Sequence, residues 1–264
     1  MGEYAGYSSI RFERLGDVLR VTLANPRNEL NAVDGEMHDE LRRLFEELKT
    51  ERQARAVVFT GSGRAFSAGG DFRWMSSVKP ENLYEMRREG KQIVWNLLDV
   101  ELPIVAAVNG PAIGLGATLA LLCDVIFMAD TATVADPHVR VGIVAGDGGA
   151  AIWPLALGPA LAKRYLMTGD SLTAADAARV GLVNAAVPAG ELQDQALAFA
   201  QRLAEGAPLA VRYTKAAVNQ IVKQVLTTAF DYSTALELVT FVSEDHQEAL
   251  QALREKRKPR FEGR

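Results

Sequence analysis

The chain has 264 residues, 48% of them hydrophobic and 23% charged, with a formal net charge of −4 and one cysteine. This is ordinary globular composition, long enough for one large domain or one domain plus a small appendage. Acidic and basic residues are interspersed, so no field is built to attract a polyanion and nucleic acid is not an expected partner.

The first residues, MGEYAGYSSIRFERLG, lack a basic stretch followed by an apolar core, so no secretory signal is expected. Gly2 is a poor myristoylation site, because Gly6 stands where a Ser or Thr is wanted. Runs rich in valine and isoleucine at 18–26, 54–63, 103–110 and 123–136 predict strands. Between the first two, Met37, Leu41, Leu44, Phe45 and Leu48 keep helical spacing with charge on the other face. Between the second and third, Leu83, Met86, Ile93, Val94 and Leu97 form a similar stripe. Strand and helix therefore alternate, which demands crossover connections and largely parallel pairing, an α/β chain.

The apolar region 102–129 matches a membrane span by hydropathy alone. Its Asn109-Gly110-Pro111 turn signal, Gly114, Gly116 and Asp124 divide it into strand, loop, helix and strand, so no membrane is expected. Cys123, within this region, has no second thiol to pair with. It suits a reducing cytoplasm and reads as a small buried hydrophobe. From Gly158 onward the pattern turns helical, at 159–169, 173–182, 191–206, 208–224 and a last segment 235–256. A core over 1–185 and a C-terminal helical region over 186–264, available for oligomerisation or for covering the site, are expected. The basic end REKRKPR reads as a solvated tail.

No metal site is expected. His38, His138 and His246 are far apart in sequence, and no HExxH or CxxC spacing occurs. There is no GxxxxGK[ST] run, and the glycine pair Gly114 and Gly116 lacks the third glycine of a dinucleotide fingerprint, with Leu119 in its place. Two loops after predicted strands are richer: AVVFTGSGRAFSAGGDF at 56–72 and IVAAVNGPAIGLGATLALLCD at 104–124. Glycine lets main chain approach a ligand, and a helix starting near Gly116 aims free N–H groups into the same space. Two such donors on one oxygen make an oxyanion hole, worth roughly 3 kcal/mol per donor. Taken alone, either loop reads better as a plain glycine turn capping its strand.

The order RAFSAGGDF, then PIVAAVNGPAIGLGATLALLCDVIFMADTATVADP, then GIVAGDGGAAIWPLALGPALAKRYLMTGDSLTAADAARVGLVNAAVP resembles the crotonase (enoyl-CoA hydratase/isomerase) superfamily over nearly the whole chain. NPRNELNAV resembles the family's segment before its first helix. The resemblance implies a crotonase-like spiral of ββα repeats with a helical C-terminal region, assembled as a homotrimer or hexamer. It implies an acyl-CoA thioester as substrate and no cofactor, coenzyme A being part of the substrate. Carried over by position, the oxyanion donors are the backbone N–H groups of Gly70 and Leu115. Coenzyme A lies against Arg64, Ala68 and Gly70, with carbonyls near Arg64 and Ala68 facing the adenine.

Hydration of a C=C bond needs one carboxylate to deprotonate water and another acid to protonate carbon. Where family hydratases carry two glutamates, this chain has Thr118 and His138, and threonine does not titrate near neutrality. Asp147 follows His138 nine positions on, and a carboxylate that accepts an imidazole N–H fixes its tautomer and raises its basicity. The pair is similar to the His and Asp of oxocamphor hydrolase, a superfamily member that cleaves C–C bonds of cyclic β-diketones, and Glu237 falls where that enzyme has a further acid. Two features depart from it: Leu115 replaces another histidine, and the FSAGGD loop of thioester-binding members is kept.

The expected activity is retro-Claisen hydrolysis of a β-keto substrate by His138, with Asp147 and Glu237. Enoyl-CoA hydration or isomerisation with Asp147 as the surviving acid is a second reading, and a non-catalytic acyl-CoA binder a third. His138 also fits a loop histidine and Asp147 a helix-capping turn residue. His38 and His246 are expected on solvent-exposed charged faces, and Trp153 and Pro154 as packing residues.

Overall fold

The computed structural model describes residues 4–264, so Gly2 lies outside the described residues. The chain opens with an antiparallel pair, β1 (Ile10–Leu15) and β2 (Val18–Leu23), registered from Ile10↔Leu23 to Leu15↔Val18. The valine- and isoleucine-rich runs did not mark β1. Its sequence IRFERL carries three charges, and as an edge strand it fully buries only Ile10.

From β2 the chain winds in repeated turns. α1 (Gly35–Leu48) starts at Asp34, whose side chain accepts from the Met37 N–H at 3.0 Å. Its stripe of Met37, Leu41, Leu44, Phe45 and Leu48 is buried as the spacing predicts, and each side chain contributes about 1.5–3 kcal/mol. Next come β3 (Ala56–Gly61), the short α2 (Phe72–Ser77) and α3 (Leu83–Asp99), which packs against α1. β4 (Ile104–Val108), β5 (Ala112–Ile113) and α4 (Leu115–Leu121) complete one turn; β6 (Val125–Ala129) and β7 (Thr133–Ala135) begin the next. The run 123–136, expected as one strand, is thus two, because a turn at Asp130 and Thr131 carries the chain from one sheet to the other.

α5 (Gly149–Leu157), α6 (Pro159–Thr168), β8 (Leu172–Thr173), α7 (Ala174–Arg179) and β9 (Ala185–Val187) follow. The large sheet has the order β1-β2-β3-β4-β6-β9, parallel after its first pair; the small one has the order β5-β7-β8. β3 and β4 are buried along their whole length, as central parallel strands are. Two parallel bridges extend the small layer, Ser67 with Ala112 and Val33 with Gly70. The 67–70 loop, β5 and β7 are therefore adjacent rungs, the ββα spiral that the family resemblance implies.

α8 (Leu192–Ala204) packs on β3, β4 and β6, and the expected division after residue 185 falls inside β9, so the core continues across it. The segments expected at 208–224 and from 235 merge into one 34-residue helix, α9 (Pro208–Phe241). The break comes at Ser243, which accepts from the His246 N–H at 3.1 Å and caps α10 (Glu244–Glu255). Trp153 on α5 is fully buried, and no described helix is long and apolar enough to cross a membrane.

Candidate active site

The Ser67–Ala112 bridge sets two rungs in parallel register, a strand spacing of about 4.8 Å apart. Gly70 and Leu115 each lie three residues beyond that bridged pair, so they reach the same end of neighbouring rungs. The turns approach closely: a Cβ on Gly69 would stand 2.6 Å from the Ile113 carbonyl oxygen and 3.6 Å from the Leu115 nitrogen. Leu115 is the first residue of α4, so its N–H has no partner within the helix. The Val33 bridge uses the Gly69 carbonyl at 2.7 Å and the Asp71 N–H at 2.9 Å, leaving the Gly70 N–H out of the ladder. Neither amide donates a hydrogen bond among the described residues.

Both residues line one cavity of about 100 Å³. It adjoins a second of about 190 Å³, and Gly70, Met75 and His138 belong to both. Ala68 lines the larger one. Arg64 lines neither: its side chain is exposed and its carbonyl oxygen abuts Gly110.

His138 reaches the site because β7 ends at Ala135 and Pro137 turns the chain into a single 3-10 turn, His138–Val141. That turn folds the imidazole back onto the fully buried Asp136, whose Oδ1 is hydrogen-bonded to Nδ1. The orienting role expected of Asp147 is therefore held by Asp136. Asp147, carried on the loop before α5, faces the other nitrogen: its Oδ2 is 3.6 Å from Nε2, within ion-pair range and too far for a hydrogen bond. Its Oδ1 accepts from Thr118 Oγ1 at 3.3 Å, so this threonine steadies an acid. Asp136 went unnoticed in the sequence; the signal was an acid two residues before a candidate histidine, across a proline.

Two glycines make room. Gly114 has φ of +52°, a conformation side chains rarely adopt, and a Cβ there would lie 3.3 Å from His138 Cε1. A Cβ on Gly149 would overlap Oδ2 of Asp136. That oxygen is enclosed and has no hydrogen-bond partner among the described residues.

Glu237 of α9 lines the same cavity as His138 and Asp147. Burial disfavours the His138 imidazolium, but Asp136 and Asp147 outweigh it and hold its pKa well above the ordinary value. Burial pushes Asp147 upward, opposed by the histidine and helped by Asp136. Burial, then the charge of Asp147, pushes Glu237 up to about 8, so it carries a proton at neutral pH. One pocket thus holds an imidazole whose proton two carboxylates help to retain beside a carboxyl whose proton burial helps to retain, the kind of tuning that assigns acid and base roles.

The other two histidines are not solvent-exposed as expected. His38 is 4% exposed, lines the cavity beside Trp74, and lies 3.3 Å from Glu89 of α3. His246 is 1% exposed, with Nδ1 2.6 Å from the Val141 carbonyl oxygen. Neighbouring elements cover both charged faces. Metal-ligand spacing is absent from the sequence, yet the fold brings one donor atom each from Asp136, His138 and Asp147 within 4.8 Å of one another, a set that could hold a cation. Nδ1 of His138 is already bonded to Asp136, which leaves Nε2 as the ring's free nitrogen.

Residues 13–264 match the family model described as enoyl-CoA hydratase/isomerase. A probable enoyl-CoA hydratase of Mycobacterium bovis is 34% identical over 258 residues, 97% of this chain and 98% of that protein. The solved structure of an enoyl-CoA hydratase/isomerase from Mycobacterium paratuberculosis has a TM-score of 0.89 and 38% identity, covering 94% of this chain and 99% of its own. A β-diketone hydrolase from the cyanobacterium Anabaena, solved with (S)-3-oxocyclohexyl acetic acid bound, has a TM-score of 0.83 and 33% identity, covering 89% and 94%.

Proposed function

We propose, on the premise that this chain belongs to the enoyl-CoA hydratase/isomerase family, that it is an acyl-CoA enzyme hydrolysing a C–C bond of a β-keto substrate. The observation that carries the reading is the imidazole of His138, anchored at Nδ1 by Asp136 and presenting Nε2 to the cavity that Gly70 and Leu115 line. Likeness to a β-diketone hydrolase supports it, as does a threonine where a hydratase needs a titrating acid.

In this reading the fraction of His138 that has lost its proton takes one from water through Nε2, and the hydroxide adds to the β-keto carbonyl. Protonated Glu237 donates a hydrogen bond to the alkoxide that forms. The C–C bond to the carbon beside the thioester then breaks, and its electron pair becomes the thioester enolate. The enolate oxygen accepts from the Gly70 and Leu115 N–H groups, about 3 kcal/mol for each donor. The imidazolium, paired with Asp136 and Asp147, returns its proton to carbon. A carboxylic acid is left where the ketone stood. Coenzyme A enters only as part of the substrate, seated along Ala68 and Gly70, with Arg64 outside the two cavities. Assembly as a homotrimer or hexamer is part of the reading; the exposed apolar side chains of α9, among them Val218 and Ile221, offer surface for it.

The names of the relatives favour a second reading, hydration of an enoyl-CoA with Asp147 as the working acid. Crotonyl-CoA and a cyclic β-ketoacyl-CoA, each incubated with the protein and followed by mass spectrometry, separate the two. Ring opening that disappears in His138→Ala is the expected result. Brisk hydration of crotonyl-CoA without ring opening favours the second reading. Binding of both without turnover leaves a non-catalytic acyl-CoA binder.

A further inference from the structure

Beyond the acids, the small cavity has a basic wall. Arg87 and Lys91, one turn apart on α3, both line it. Among the described residues they share a single counter-ion, Asp231 of α9, at 3.5 Å from Arg87 Nη2 and 2.6 Å from Lys91 Nζ. Arg87 Nε is enclosed and bonds nothing among the described residues. Two cations and one carboxylate leave a positive charge unmatched on a wall otherwise mainly apolar. Asp231 and Glu237 lie six residues apart on one helix, roughly 9 Å along its axis at 1.5 Å per residue.

The proposed chemistry creates a charge that needs such a place. Opening a cyclic β-ketoacyl thioester makes an ω-carboxyacyl thioester: water supplies oxygen to the former ketone carbon, and the broken C–C bond leaves carbon that takes up a proton. The new carboxylate is born near Asp136 and Asp147, whose charges repel it. We infer that Arg87 and Lys91 form a carboxylate subsite at the far end of the acyl pocket, so that the enzyme's acyl groups are ω-carboxyacyl chains or the rings that open to them. This rests on the hydrolase reading for its chemistry, and on the unmatched cation for its place. Without a carboxylated ligand the two side chains hold α3 to α9 through Asp231.

Calorimetric titration of the full chain with adipyl-CoA and hexanoyl-CoA, alike except for the terminal carboxylate, tests the subsite without needing turnover. Adipyl-CoA is expected to bind about tenfold tighter or more, the factor that one charge-assisted hydrogen bond supplies. The double variant Arg87→Met, Lys91→Met should erase the preference. Asp231→Asn, which frees both cations, should enlarge it. Equal affinities in the wild type overturn the inference. So does a loss of preference in Asp231→Asn matching that of the double variant, because a mere latch between helices loses the same contact either way. Ring opening without the preference sinks the subsite alone; the preference without ring opening sinks the hydrolase reading alone.

Discussion

Asp136 and His138 stand two residues apart around Pro137, and the buried carboxylate of the first is bonded to Nδ1 of the second. The bond fixes the tautomer, so Nε2 is the nitrogen left for water, and it makes the imidazolium easier to form. Asp136→Asn keeps the size and removes the charge. If neutral His138 is the base, kcat/KM rises with pH as the imidazolium loses its proton. Asp136 raises that pKa, so the variant's acid limb moves to lower pH, and its plateau falls because the imidazole is a weaker base. Rate measurements across pH check both changes. A purely structural role for Asp136 would lower the plateau without moving the limb.

Gly149 has no side chain because the Oδ2 atom of Asp136 occupies that space. Gly149→Ala should destabilise the fold by about 1–3 kcal/mol, the range for overpacking a filled interior, and slow turnover by pushing Asp136 off the histidine. Gly190→Ala is the control, since a Cβ there meets nothing within 4 Å; its effect should stay within about 0.5 kcal/mol. Thermal unfolding of both variants makes the comparison.

Glu237 supplies a third expectation. Its pKa rises from the ordinary 4.5 to about 8 in the folded protein, so the folded state binds the proton more tightly than the unfolded chain. Stability therefore falls as pH climbs through that window, and Glu237→Gln, which cannot ionise, should escape this loss and melt higher than wild type above about 8. If protonated Glu237 assists the alkoxide, wild-type activity also declines near that pH, and the glutamine variant loses the decline. Melting curves and rates at matched pH decide it.

The parts of this site that were legible in the sequence are those whose signal is local. The stripes of α1 and α3 declare their buried faces by spacing, and the loops around Gly70 and Leu115 declare themselves because a main-chain donor leaves its mark as a motif. His138, Asp147 and Glu237 could be named, yet the sequence could not tell which acid anchors the imidazole. That depends on where the Pro137 turn points, a property of the rung formed by β7. His38 and His246 were misjudged for a related reason: a charged helical face looks solvent-exposed until α3, or the turn at His138–Val141, is laid over it. The single helix α9 was hidden because 225–234 interrupts the apolar rhythm with threonines and Asp231, and its buried face, Leu226, Phe230, Ser233 and Thr234, is half polar.

His138 as general base predicts a loss of roughly 10²- to 10⁴-fold in ring opening for His138→Ala, the usual contribution of a positioned proton acceptor. The fall should appear in kcat, with the affinity for a non-reacting acyl-CoA changed far less. A variant that opens the ring at near wild-type rate would remove His138 from the mechanism. Equilibrium binding alongside steady-state kinetics gives both quantities.

The most direct measurement is the fate of oxygen from water labelled with its heavy isotope, using a cyclic β-ketoacyl-CoA as substrate and mass spectrometry of the product. The account predicts a ring-opened thioester with coenzyme A still attached and a single heavy oxygen in the new carboxyl group, formed by wild type and not by His138→Ala. Label-free product, release of coenzyme A in place of ring opening, or an untouched ring beside rapid hydration of crotonyl-CoA would contradict it.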